Sequence, residues 1–255
     1  LKAKKIDTNS LLSQLKSKNR WIRHEAILLL MIMKDDESLN YKIKAILPYL
    51  QEALKNEEEE VQRHAILGLS LIGKKAISAT PDLIEILKKN KDESLKELIV
   101  KTLRKIGKES VIQAIPILKE IFFTCTDFSL KKEVILSLGI AEEKAISFVP
   151  NLVKIMEHDE LKLLRLASAF ALVGIGENKS NIRAQNYILQ QLNPREPMFD
   201  YAIFHMLELG AKGEFAIKNL VLTLKIEKNS GDYSPSLDPT TFFILREAGW
   251  RAKMK

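Results

Sequence analysis

Cysteine is nearly absent from this 255-residue chain, where Cys125 stands alone. One thiol excludes an internal disulfide framework and any multi-cysteine metal cluster. Long apolar runs are missing too: the longest, Ala26 to Met33, spans eight residues. Crossing a bilayer takes roughly 20. No alternating apolar–polar segment is bounded by hairpin signals, so nothing reads as a strand. The chain opens on Leu1 rather than Met. A removed leader, and hence export, stays open beside a cytoplasmic default. What is present, 46% hydrophobic and 29% charged residues, describes a folded chain rather than a disordered one.

Charge of one sign is also in short supply. Lys+Arg total 40 against Asp+Glu 33, a net +7, and such an excess can serve nucleic acid or anionic lipid. Most charge follows the ends of apolar-periodic stretches instead. Glu57 to Glu60 precede the stretch at Val61, and Lys74 and Lys75 follow it. Acid at helix N-termini and base at C-termini is what the macrodipole favours.

Repetition decides the fold. VQRHAILGLSLIG from Val61, LKELIVKTLRKIG from Leu95 and LRLASAFALVGIG from Leu164 share thirteen positions and a closing Ile-Gly. The same frame fits the segments from Ile22, Leu130 and Met198, with a weaker seventh copy from Leu237. Their starts are 39, 34, 35, 34, 34 and 39 residues apart. Pro48, Pro81, Pro116 and Pro150 recur at 33, 35 and 34 near a second set of amphipathic stretches, where a fixed φ and a missing N–H are harmless.

Each repeat is therefore a proline-bearing helix A and a thirteen-residue-motif helix B. The A helices are expected at 8–18, 39–55, 80–90, 110–124, 145–157, 181–192 and 214–227. The B helices are expected at 20–34, 59–73, 93–107, 128–141, 160–176, 197–210 and 239–252. One pair cannot bury its own apolar face, so neighbours must stack. The expected fold class is all-α, an α-solenoid of about seven antiparallel helix pairs. It forms one array over 1–255, with repeats at about 7–34, 39–73, 80–107, 110–142, 145–176, 181–210 and 214–250.

The motif resembles the HEAT repeat in its PBS-lyase-like variety, over nearly the whole chain. Ile22-Arg23 and Leu164-Arg165 fit that family's aliphatic-Arg pair, and Leu95-Lys96 and Leu130-Lys131 fit with Lys. Asp92 and Asp127 take the preceding acidic position. The basic position holds Gln62, Phe199 and Asp238 in other copies, which leaves an Asp–Arg ladder between repeats incomplete. The resemblance implies B helices lining a concave surface and a role chiefly in binding. The family also includes DNA-binding proteins and glycosylases.

Catalytic motifs are lacking. His24-Glu25 begins like HExxH but meets Leu28 at the closing position, so no zinc pair forms. Gly174 and Gly176 are followed by Lys179 where a dinucleotide fingerprint wants glycine. Gly68-x-Ser70 is followed by Ile72, which rules out a nucleophile elbow. His24, His64, His158 and His205 show no ligand spacing, and Cys125 has no local histidine. No enzyme activity, cofactor or metal is expected.

The seventh motif position holds Leu28, Leu67, Lys101, Leu136, Phe170, Phe204 and Phe243. The eleventh adds Ile32, Leu71, Lys105 and Ile140. Residues four apart share a helix face, so these positions make one stripe, interrupted by a basic cluster at Lys101, Arg104, Lys105 and Lys108. The stripe is either superhelical core or an exposed groove. As a groove it suits a peptide or amphipathic helix with an acidic group near its middle. Phe170, Phe204 and Phe243 would anchor that ligand, and Lys101 and Lys105 would orient it. Nucleic acid is the rival partner. Phosphate tracking wants a cation on every B helix. Trp21 and Trp250 lie near opposite ends of the expected array and cannot frame one base pocket without unusual curvature.

Overall fold

The computed structural model describes residues 8–33, 38–56, 58–176, 180–193 and 196–216. Among them lie twelve α-helices and no strand. The helices are α1 (Thr8–Leu15), α2 (Arg20–Met33), α3 (Ser38–Ala53), α4 (Glu59–Ile72), α5 (Thr80–Lys89) and α6 (Glu93–Ile106). They continue as α7 (Lys108–Thr124), α8 (Phe128–Ile140), α9 (Val149–His158), α10 (Lys162–Ile175), α11 (Asn181–Gln191) and α12 (Phe199–Glu208). Odd-numbered helices are A helices and even-numbered ones are B helices. The helices expected at 214–227 and 239–252 lie, beyond Ala216, outside the described residues.

The chain divides into two compact units, residues 1–140 and 141–255. In the first, α2, α4, α6 and α8 pack in succession, each against the A helix of its own repeat. Between the layers Leu50, Ile66, Leu69, Leu83, Ile99 and Leu103 have almost no exposure, each contributing about 1.5–3 kcal/mol of burial. In the second unit α10 packs on α9, α11 and α12.

The thirteenth motif position has one backbone property wherever it is described. Gly73, Gly107, Gly176 and Gly210 all have positive φ, at 61°, 125°, 102° and 56°. Glycine takes such angles without a Cβ clash, which is why B helices close on Ile-Gly. The fourth copy places Glu142 there, at φ 53°. Its carboxylate meets Lys212 at 3.2 Å.

Two prolines depart from the expected position near a helix start. Pro48 and Pro116 sit inside α3 and α7, whereas Pro81 and Pro150 begin α5 and α9. In the latter repeats the stretch ahead of the proline is a 3-10 helix, Gly73–Ala79 and Glu142–Phe148. Helix A of the fifth repeat, expected from residue 145, accordingly begins at Val149. Both 3-10 segments carry Lys-Ala-Ile-Ser, with Ala76 and Ala145 buried and Ile77 and Ile146 exposed.

Candidate binding surface

Side-chain caps mark where α2, α6 and α8 start, and so which residues those helices turn outward. Asp92 Oδ1 accepts the Ser94 N–H at 2.9 Å at the head of α6. Asp127 Oδ1 accepts the Leu130 N–H at 2.7 Å ahead of α8, and Asn19 Oδ1 the Trp21 N–H at 2.9 Å ahead of α2. Each satisfies a donor that the helix cannot.

The second motif position ties helix B to the end of its own helix A. Arg23 Nη1 donates to the Ser17 and Lys18 carbonyls at 2.8 and 3.1 Å, just past α1. Arg165 Nε donates to the Met156 carbonyl in α9 at 3.0 Å. Gln62 Nε2 does the same to Asn56 at 2.7 Å, so glutamine keeps the task without the charge. The rung between repeats that Gln62 was expected to break is present, carried one residue later. Arg63 bonds Asp92 of the next repeat and Glu59 of its own helix, the latter at 2.9 Å.

A second rung joins α6 to α8 out of reach of water. Arg104 Nη2 donates to Glu133 Oε2 at 3.0 Å, with both side chains about 5% exposed, and Lys132 approaches Glu133 at 3.2 Å. The sequence pattern groups Arg104 with the outward basic cluster. Its side chain is instead 5% exposed and committed to Glu133, because the tenth position turns toward the following B helix.

The other stripe residues divide by repeat. Leu28 on α2 is 44% exposed, and Leu67 and Leu71 on α4 are half-buried. Lys101 and Lys105, one turn apart on α6, are both exposed. On α8, Leu136 is buried while Ile140 is half-buried. In the second unit Phe170 on α10 is 2% exposed and belongs to the core, whereas Phe204 on α12 is 47% exposed. Phe170 packs 5.7 Å, centroid to centroid, from His205, whose ring also meets Tyr201 at 4.2 Å and Phe204 at 5.0 Å. His205 Nδ1 lies 2.7 Å from a Glu208 carboxylate oxygen. This aromatic packing buries the expected anchor at Phe170. Ile32 lies in α2 without a described side chain, and Phe243 and Trp250 lie outside the described residues.

The first unit thus brings Leu28, Leu67, Leu71, Lys101 and Lys105 onto three B helices that pack in succession, α2 on α4 and α4 on α6. Near the A–B turns of the same unit is a cleft of about 410 Å³ lined by Leu54, Lys55, Gln62, Asp82, Glu85, Ile86, Lys89 and Asn90. Its charges pair internally: Lys89 bonds Glu85 at 2.6 Å and holds that carboxyl below its usual range, and Lys55 faces Asp82 at 4.0 Å.

Half-burial pushes the Cys125 thiol up, against a smaller opposing pull from Lys131. A nucleophilic cysteine needs the opposite shift. Burial likewise raises the Tyr49 hydroxyl, which donates to the Leu15 carbonyl at 2.6 Å and links α3 to α1. Among the described residues no three His, Cys, Asp or Glu side chains gather as a metal would require. No helix among them is long and apolar enough to cross a membrane.

Paired helices, stacked repeat on repeat, with motif positions dedicated to the A–B tie and to rungs between repeats, define a helical-repeat protein of the HEAT and armadillo solenoid class. Residues 46–139 match the HEAT-repeat family profile. Solved structures agree on the fold. An engineered protein is similar over 86% of this chain and 98% of its own, at 20% identity and a TM-score of 0.54. A designed armadillo repeat protein in complex with the peptide (KR)4 is similar over 84% and 100%, at 16% identity and 0.54. Computationally designed armadillo repeat proteins for modular peptide recognition follow at 80% and 99%, 18% identity and 0.50. No curated protein sequence matches the chain.

Proposed function

We propose that the chain is a non-catalytic protein-interaction module whose first unit binds a peptide or amphipathic helix across α2, α4 and α6. The observation that carries this reading is the contrast within single helices. On α6 Ile99, Val100 and Leu103 have no exposure, while Lys101 and Lys105 on the same helix face out. On α2 Leu28 is 44% exposed two residues after the buried Ala26. An apolar residue left out beside a satisfied core has surface to offer a partner.

The ligand that fits has an apolar anchor for Leu28, Leu67 and Leu71, followed by one or more carboxylates for Lys101 and Lys105. A designed armadillo protein of similar fold holds the basic peptide (KR)4. Two lysines on α6 call for the opposite charge here.

Panning a random-peptide library against the chain tests this directly. Selected peptides should combine aliphatic or aromatic residues with Asp or Glu, and Lys101→Glu/Lys105→Glu should weaken them at least tenfold. Basic selected peptides would refute the reading, as would indifference to that variant. So would preferential capture of oligonucleotides with a steep salt dependence, the mark of phosphate binding.

A further inference from the structure

Where the B helices of the second and third repeats turn into the next A helix, lysines gather. Lys74 and Lys75 follow α4, Lys101 and Lys105 lie one turn apart on α6, and Lys108 opens α7. The two turns are in contact. A Cβ on Gly73 would stand 3.5 Å from the Lys105 carbonyl oxygen, and one on Gly107 would stand 3.9 Å from Lys74 Cγ. The Lys74 stem therefore crosses the end of α6. Lys74, Lys75, Lys101 and Lys105 are exposed, and Lys108 is half-buried. Lys74, Lys75 and Lys101 enter no ion pair among the described residues. The acids nearest in sequence are Glu97, half-buried one turn before Lys101, and Glu109, exposed beside Lys108.

This charge is confined to one place. Of the seven motif copies only the second is followed by two lysines, and only the third has lysine at both its seventh and eleventh positions. The flanking B helices α2 and α8 carry Leu28 and Leu136 at the seventh. A nucleic-acid backbone calls for cations repeated from helix to helix. A single dense patch suits one multiply charged group. Apolar surface borders it: Leu71 is half-buried one turn before Lys75, and Ile77 just after is 40% exposed.

We propose that this patch receives a phosphorylated side chain, so that the peptide held across α2, α4 and α6 is a phosphopeptide. The inference rests on the reading of that surface as a peptide site. Charge complementarity selects the occupant. A carboxylate brings one charge and two oxygens, whereas a phosphomonoester brings nearly two charges and three strong acceptors. Ammonium groups converging from two turns match the second better. Lysine meets phosphate as a mobile point charge from any direction, while planar, bidentate carboxylate pairing favours arginine. The exposed cations here are all lysine, and Leu67, Leu71 and Ile77 give the residues beside the phosphate an apolar seat.

Synthetic peptide libraries with one fixed central residue and randomised flanks test the proposal on the whole chain. Three versions carry phosphoserine, serine or aspartate at the centre, and the best sequences are compared by fluorescence anisotropy. At matched flanks phosphoserine should bind at least about tenfold tighter than serine, the scale of one or two hydrogen bonds between charged groups, and tighter than aspartate. Lys74→Ala/Lys75→Ala should bring the phosphoserine-to-serine ratio close to one, and circular dichroism checks that the variant is folded. A ratio unmoved by that variant would overturn the phosphate site and leave the peptide site standing, as would serine or aspartate binding equally well. Failure of all three versions would overturn both. Tighter binding of a single-stranded oligonucleotide than of any phosphoserine peptide would also overturn the proposal.

Discussion

Helices α6 and α10 are written in the same thirteen-residue frame and live in opposite surroundings. Both bury positions five, six and nine. At position seven α6 turns Lys101 into solvent, while α10 packs Phe170 against His205 and is buried without a break from Leu166 to Ile175. The frame dictates which positions form the core between the A and B layers. It does not dictate the opposite flank, whose exposure depends on what else each unit packs there. A motif-level stripe is thus a list of candidates, and burial selects among them.

Five single substitutions and one paired replacement would break or sharpen that contrast. Phe170→Ala should cost the second unit the most, about 3–5 kcal/mol of unfolding free energy, as an emptied core aromatic does. A near-neutral result in denaturant titration would mean that Phe170 is surface after all. Glu133→Ala should cost a similar or slightly smaller amount, about 3 kcal/mol, because it strands Arg104 in the interior. Replacing the pair together, Arg104→Met with Glu133→Leu, should recover most of that loss.

Gly107→Ala comes next at about 1–3 kcal/mol, the penalty for a Cβ at φ 125° and ψ −172°, a region essentially open only to glycine. Its counterpart Glu142 bears a positive φ of its own, 53°, and Glu142→Gly should leave stability nearly unchanged, with relief of strain set against the lost Lys212 contact. The smallest effect belongs to Lys101→Ala, within about 0.5 kcal/mol of wild type by thermal melt. A larger loss would make the exposed flank of α6 structural rather than available.

Cys125 offers a check by pH. A thiol raised by burial holds its proton more tightly in the folded state, so its thiolate fraction near neutrality is below that of a free cysteine. Alkylation by iodoacetamide should be slower in the folded chain than in urea, and should accelerate only above the ordinary thiol range. Equal rates in both states would show the thiol to be fully solvated.

Helix boundaries were legible where chemistry marks both ends of a B helix, as it does for α6. Asp92 opens α6 by capping, and the positive φ of Gly107 closes it, so the expected 93–107 lies within a residue of Glu93–Ile106. The 3-10 stretches before Pro81 and Pro150 were less visible, although Lys-Ala-Ile-Ser recurs ahead of both. The rung through Arg63 was missed for a different reason. The family's second position holds Gln62, while the partner of Asp92 lies one residue further on, at Arg63. Glu133 and Arg104, 29 residues apart, are a buried pair that no periodicity predicts. Their burial depends on α6 and α8 meeting, which only tertiary packing shows. The same holds for the split among Leu28, Leu136 and Phe170, three apolar residues at one motif position with 44%, 6% and 2% exposure.

The most direct test of the binding face is photo-crosslinking. A peptide selected by display, carrying a photoreactive residue beside its apolar anchor, is irradiated with the chain and the adducts are mapped by mass spectrometry. Adducts should fall in α2, α4 and α6, near Leu28, Leu67, Leu71 and Lys101, and vanish with Lys101→Glu/Lys105→Glu. Adducts confined to residues outside those three helices, persisting in that variant, would contradict the assignment of the first unit's B-helix surface as the binding site.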